Sequence, residues 1–118
     1  SGTREMRRGQ IMIITEFDRE NYILRDQLID LAVLIYPSTY QKEQRTAEEL
    51  LQPNKVVIAA IEGEQLVGFV SAFQKSDTIW QQEISLVDPR HPDEQIGERL
   101  TAFLRDEVVA AGGEWLVS

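Results

Sequence analysis

Cysteine is absent from the 118 residues, and histidine occurs once, at His91. The first absence excludes disulfides, thiolate metal sites and cysteine nucleophiles, and the second excludes a multi-histidine metal site, so no metal is expected. Long apolar runs are missing too. Stretches such as Val67-Gly68-Phe69-Val70 fall far short of the ~20 residues a membrane helix needs, and no signal-peptide core is present. The expectation is a cytoplasmic protein with no membrane partner. Positive charge is scarce: 12 Lys and Arg against 20 Asp and Glu give a formal charge of −8. That is the wrong sign for a surface that tracks phosphates, so nucleic acid is not an expected partner. The same imbalance favours the approach of small cationic ligands.

What is present suits one globular domain with a modest core, since 42% of the residues are hydrophobic and 27% charged. Residues 1–11 are polar and basic, with no periodicity, and precede Met12; they read as a leader or tag, and residues 12–118 as the domain. Ile11 to Phe17, β-branched at Ile13, Ile14 and Thr15, predicts a first strand. Asp18 and Asn21 offer caps for a helix marked by Ile23, Leu24, Leu28, Leu31 and Ile35, which stops before Pro37. Thr46-Ala47-Glu48-Glu49-Leu50-Leu51 has N-cap chemistry and a carboxylate-rich first turn, so a second, shorter helix is expected to end near Pro53.

Val56 to Ile61 and Gln65 to Phe73 are strand-like runs joined through Glu62-Gly63-Glu64, the pattern of a hairpin. Thr78 to Val87 adds a third member of the meander. After a loop at Asp88 to Gln95, the spacing of Ile96, Leu100, Phe103, Leu104 and Val108 predicts an amphipathic helix ending at Gly112-Gly113. Trp115-Leu116-Val117 then begins one more strand. The order is β-α-α-β-β-β-α-β, an α/β (α+β) chain.

A loop leading from the end of a strand into a helix N-terminus is a natural anion site, because unpaired amides there bind phosphate without basic side chains. Val87-Asp88-Pro89-Arg90-His91-Pro92-Asp93-Glu94-Gln95-Ile96-Gly97 occupies that junction. The stretch resembles motif A of the GNAT acetyltransferases through Val87, Pro89, Ile96, Gly97 and Leu100. Beyond it, Met12 to Arg19, Asp26-Gln27-Leu28, Ala47-Glu48-Glu49, Leu66-Val67-Gly68-Phe69, Trp80, Gln95-Ile96-Gly97 and Gly112-Gly113 are similar to the small aminoglycoside 6′-N-acetyltransferases. The resemblance runs from Met12 to the end of the sequence. It implies a GNAT-like mixed sheet, truncated after the fifth strand, with acetyl-CoA as cosubstrate and a small cationic amine as acceptor.

Carried onto this sequence, the resemblance implies that Ser85, Leu86 and Val87 hold the pantetheine amides, and that Glu94, Gln95, Ile96 and Gly97 present main-chain donors to the pyrophosphate, with Arg99 beside them. Where the subgroup has a glutamate after the matching tryptophan and a histidine two places later, this chain has Gln81 and Glu83. Glu83 is then the expected proton acceptor, since a glutamine can hydrogen-bond an ammonium group but cannot take its proton near neutral pH. Trp80 and Glu48 are the candidate acceptor-binding residues.

Plainer readings stand beside these: Trp80 as a packed strand aromatic, the Glu48-Glu49 pair as a solvated first turn, and Gly97 as a capping glycine. His91, beside a proline, reads as an exposed loop histidine. Where the subgroup carries basic or small residues in the phosphate loop, Pro92-Asp93-Glu94 stands here, and two carboxylates beside a diphosphate repel it. The expected function is acetyl transfer from acetyl-CoA to a primary amine, such as an aminoglycoside 6′-amine. The alternative is an inactive GNAT relative serving as a dimeric structural or binding module. A sheet ending at Trp115-Leu116-Val117 would also expose an edge, and a homodimer pairing along it is expected.

Overall fold

A run of β-branched residues, Ile13, Ile14 and Thr15, starts the sheet, and a capped amphipathic helix covers it. The computed structural model of the chain describes residues 11–93 and 95–116. Nearly all of the expected leader, Glu94 and Val117 lie outside the described residues. Strand β1 (Met12–Glu16) turns Met12 and Ile14 toward the core and leaves Ile13 52% exposed. Helix α1 (Tyr22–Ile35) begins at Asn21, whose side-chain oxygen accepts the Leu24 N–H at 3.1 Å, and ends just before Pro37, where the residue ahead of a proline is pushed out of helical geometry. Its buried stripe is Leu24, Leu28, Ile29, Leu31 and Ala32. Ile23, expected on that stripe, is 69% exposed; one residue step turns ~100° around a helix and takes it off the buried face.

Helix α2 (Gln44–Leu50) starts earlier than expected. Thr46 is not its cap. It is buried inside the helix, where its Oγ1 donates to the Gln41 carbonyl oxygen at 2.8 Å and so clasps the turn before it. Strands β2 (Lys55–Glu62) and β3 (Gln65–Gln74) form the expected hairpin through Gly63-Glu64. Gly63 has φ 64°, a left-handed conformation that glycine adopts without steric cost. Strand β4 (Ile79–Val87) completes the antiparallel meander. Helix α3 (Ile96–Ala110) then crosses to β5 (Glu114–Leu116), which lies parallel to β4. The sheet order is β1-β2-β3-β4-β5.

The helices divide between the two faces of this mixed sheet. Leu24, Leu28, Leu31 and Leu50 of α1 and α2 pack with Val57, Ala59, Phe69 and Leu86. Ile96, Leu100, Leu104 and Val108 of α3 pack on the other face with Ile58, Ala60, Val67 and Val70. Gly68 sets how closely α3 approaches. A Cβ there would lie 2.9 Å from Leu100 Cδ1 and 3.0 Å from Ile96 Cγ2, so the first turns of α3 rest directly on the β3 backbone. That contact holds the N-terminus of α3 beside the end of β4.

Candidate active site

Strand β4 departs from regular geometry at one residue. Ser71 pairs with Ile84 and Ala72 with Gln82, which leaves Glu83 as the extra residue of a β-bulge. A bulge breaks the up-down alternation and re-aims a side chain. Glu83 and Ile84, although consecutive, therefore line the same cavity of about 310 Å³. The α1–α2 connection supplies Tyr36, Thr39 and Tyr40 to this cavity, α2 supplies Glu49 and Leu50, and β2 supplies Lys55. Lys55 Nζ lies 2.7 Å from Glu83 Oε1, and the buried Ser71 hydroxyl donates to the same oxygen at a long 3.5 Å.

The aromatic wall is ordered by its own contacts. Tyr36 and Tyr40 pack edge to face with ring centres 6.3 Å apart, and the Tyr40 N–H donates to the Tyr36 carbonyl oxygen. Burial first, then the carboxylates of Glu49 and Glu83 and the Tyr36 phenol, raises the pKa of Tyr40 above the ordinary phenol value. Tyr40 therefore stays protonated near neutral pH, as a polar edge with an aromatic face. Two carboxylates, one ammonium and two phenols around a cavity of this size suit an ammonium group carried on a polar body.

A second feature lies one strand edge away. β5 pairs with β4 only at Ile79, Trp80 and Gln81, so the edge of β4 from Gln82 to Val87 has no strand partner among the described residues. The sheet thus turns backbone groups of Ser85 and Val87 to this edge, next to the bulge that carries Glu83, while those of Leu86 face Phe69 of β3. Beyond that edge comes the N-terminus of α3. Gln95 makes no side-chain cap, and at Gly97 an added Cβ would meet only Val87 Cγ2 at 3.6 Å, so packing within the chain does not require the glycine.

No family model and no curated protein matches the sequence. Solved structures do. The aminoglycoside 6′-N-acetyltransferase from Enterococcus faecium superposes with a TM-score of 0.81 at 37% identity, over 89% of this chain and 60% of that one. An aminoglycoside 6′-acetyltransferase of type Ii superposes with a TM-score of 0.78 at 36% identity, over 89% of this chain and 70% of that one. The chain belongs to the aminoglycoside 6′-N-acetyltransferase family. A further member, crystallised with coenzyme A, gives a TM-score of 0.77 at 39% identity, over 86% of this chain and 57% of that one. The chain therefore spans only 57% to 70% of the length of these relatives.

Within this GNAT acetyltransferase framework, the sequence-expected residues fall into three places. Glu83 lines the cavity. Ser85, the fully buried Leu86 and Val87 lie on the open half of β4. Gln95, the buried Ile96, Gly97 and Arg99 form the start of α3, while Glu94 lies outside the described residues. Gln81 is half-buried in β4, paired with Phe73 and with β5. Trp80 points to the α3 face, where a Cβ at Gly113 would lie 3.0 Å from its ring; the structure does not bring it to Glu83. Glu48 is exposed, and its neighbour Glu49 is the residue that lines the cavity.

The basic side chains near the phosphate-type loop are already engaged. Arg90 Nε and Nη2 donate to the two Asp88 carboxylate oxygens at 2.9 and 3.0 Å, and Arg99 Nη1 lies 3.7 Å from Asp93. His91 is not an exposed loop residue. Its side chain is 13% exposed, with Nε2 3.2 Å from Glu62, while Nδ1 accepts the Asp93 N–H at 3.1 Å. With Nδ1 accepting, Nε2 is the nitrogen that donates to Glu62. Sequence reasoning missed Lys55 and Tyr40, and of the Glu48-Glu49 pair it named Glu48 where Glu49 lines the cavity. The one available signal was the pair of aromatics, Tyr36 and Tyr40, set in the connection between two helices rather than on a periodic face.

Proposed function

We propose that the chain carries the acetyl-transfer site of a GNAT enzyme acting on a primary amine, with an aminoglycoside 6′-amine as the acceptor. The observation that carries this reading is the bulge that turns Glu83 into the Tyr36–Tyr40 cavity beside the unpaired edge of β4. The outward backbone groups of Ser85 and Val87, either side of Leu86, suit the pantetheine arm of acetyl-CoA, and the start of α3 at Gln95, Ile96 and Gly97, joined by Arg99, suits its pyrophosphate once Asp93 gives up the Gln95 N–H. The cosubstrate supplies an activated acetyl thioester.

The chain's own part is to hold the acceptor and manage its proton. Glu49 and Glu83 attract the ammonium group, the tyrosine rings orient its carrier, and Glu83 accepts the proton, directly or through one water, so that the neutral amine attacks. The C–N bond forms as the C–S bond breaks; the electron pair leaves on the thiolate, which takes up the proton that the nitrogen sheds as it becomes the amide. Trp80 and Gln81 support this machinery from the paired half of β4, and Glu48 belongs to the acidic rim that draws cations in. The reading includes a cytoplasmic homodimer associated along β5, for which sedimentation velocity should give twice the monomer mass.

A calorimetric titration with acetyl-CoA, followed by a thiol-release assay with the aminoglycoside sisomicin, tests the proposal. Saturable acetyl-CoA binding and sisomicin-dependent thiol release are expected. Gly97→Val should abolish acetyl-CoA binding while moving the melting temperature little, since its Cβ would meet nothing nearer than 3.6 Å. Absence of acetyl-CoA binding would leave the chain as a non-catalytic module of the same fold.

A further inference from the structure

The acceptor cavity contains a cation of its own. Lys55 begins β2, and its side chain is only 9% exposed, an unusual place for an ammonium unless it is paired. Nζ lies 2.7 Å from Glu83 Oε1 and donates to the Glu49 carbonyl oxygen at 3.1 Å. The backbone of Lys55 is fixed as well: Arg19 Nη2 donates to the Lys55 carbonyl oxygen at 2.6 Å, and Arg19 Nε donates to the Leu51 carbonyl oxygen at 3.3 Å. One guanidinium thus braces the α2–β2 connection, and one ammonium ties α2 to the bulge of β4. The two contacts that reach Glu83, from Lys55 Nζ and from the Ser71 hydroxyl, both end on Oε1. Among the described residues no hydrogen bond reaches Oε2, and the Glu83 side chain is 37% exposed toward the cavity.

We propose that Lys55 is a positioning residue of the acceptor site, holding Glu83 by Oε1 so that Oε2 faces the incoming amine, and offsetting one of the two cavity carboxylates. The assignment rests on the acetyl-transfer reading. It has two consequences that pull in opposite directions. Removing the ammonium frees Glu83 from its tether, which misplaces the proton acceptor, and leaves the cavity one unit more negative, which strengthens its attraction for a cation. A lysine that served only the fold would not separate these two effects.

Lys55→Met keeps the buried stem and deletes the charge. The expected result is a fall in kcat of about tenfold or more, from lost orientation, together with a fall in the sisomicin KM and Kd of about three- to tenfold, from the added negative charge. Lys55→Arg restores the ion pair and should return kcat toward the wild-type value. Lys55→Gln, with melting curves for all variants, guards against a folding defect. Calorimetry with sisomicin alone separates the two proposals. If thiol release is absent but sisomicin binds Lys55→Met more tightly than wild type, the transfer reading falls and the charge assignment of Lys55 stands. If wild type is active and Lys55→Met leaves both kcat and affinity unchanged, or weakens binding, the Lys55 proposal alone is overturned. Failure of sisomicin to bind either protein also overturns it.

Discussion

Asp88 shows how a single residue shapes the loop ahead of α3. Its carboxylate is nearly buried at the end of β4, accepts the N–H of Arg90 at 2.9 Å and both arms of the Arg90 guanidinium, and its pKa is lowered chiefly by the side-chain hydrogen bonds from Arg90. A carboxyl with a lower pKa folded than unfolded binds its proton more readily in the unfolded chain. Its stabilising effect is therefore present above the unfolded value of about 4 and is lost as pH falls through the folded one. Asp88→Asn should lower the melting temperature at pH 7 and narrow its gap from wild type below about pH 4, which a pH series of thermal melts checks. At Glu83, replacement by glutamine keeps the shape of the group and removes its basicity, so thiol release should fall by about a hundredfold at unchanged acetyl-CoA affinity. Glu83 was legible in the sequence as a residue type at the right distance from Trp80. Its tie to Lys55 was not, because 28 residues and a change of strand separate the two, and no periodicity carries such a contact.

At the scale of elements, the 3.6 period placed α1 and α3, apolar β-branched runs placed the strands, and cap and carboxylate chemistry placed α2, since burial on one face and orphan amides at a helix start are what those signals encode. The errors came where a side chain chose a local hydrogen bond: Thr46 reads as a cap and instead clasps Gln41, and His91 reads as exposed and instead spans Glu62 and Asp93. The bulge at Glu83 was equally hidden, because nothing in Gln81-Gln82-Glu83-Ile84 marks an extra residue against β3. The start of α3 supports a prediction of its own. Asp93 Oδ1 accepts the Gln95 N–H at 2.9 Å, so a carboxylate already sits at the positive end of the helix, where an entering phosphate would be repelled by it. Asp93→Lys should remove that repulsion and tighten acetyl-CoA binding by about tenfold at low salt, and by less as ionic strength rises. Isothermal titration at two salt concentrations checks both the sign and the screening.

For the whole molecule, one sheet is shared by two apolar layers, and the question is whether they unfold together. The α1–α2 layer rests on Phe69, Val57 and Leu86, and the α3 layer on Val70, Ile58 and Val67, which come from the same strands. Neither layer can keep its half of the sheet once the other is lost, because the backbone ladder of β2 and β3 is common to both. The chain has two tryptophans, and Trp80 and Trp115 both pack in the α3 layer. Their fluorescence therefore reports one face, whereas far-ultraviolet circular dichroism reports every element. Phe69 is fully buried on the opposite face, and Phe69→Ala should cost about 3–5 kcal/mol through lost transfer energy and an unfilled cavity. If the sheet makes the molecule a single cooperative unit, that substitution must shift the tryptophan transition as far as the circular dichroism transition, in urea and in heat, although it touches no tryptophan. Leu104→Ala, made within the α3 layer itself, should cost about 2–5 kcal/mol and likewise keep the two transitions coincident. A Phe69→Ala protein whose circular dichroism midpoint falls while its fluorescence midpoint stays at the wild-type value would mean that the α3 layer, with the start of α3 beside the open edge of β4, folds independently of the wall that holds Tyr40 and Glu49.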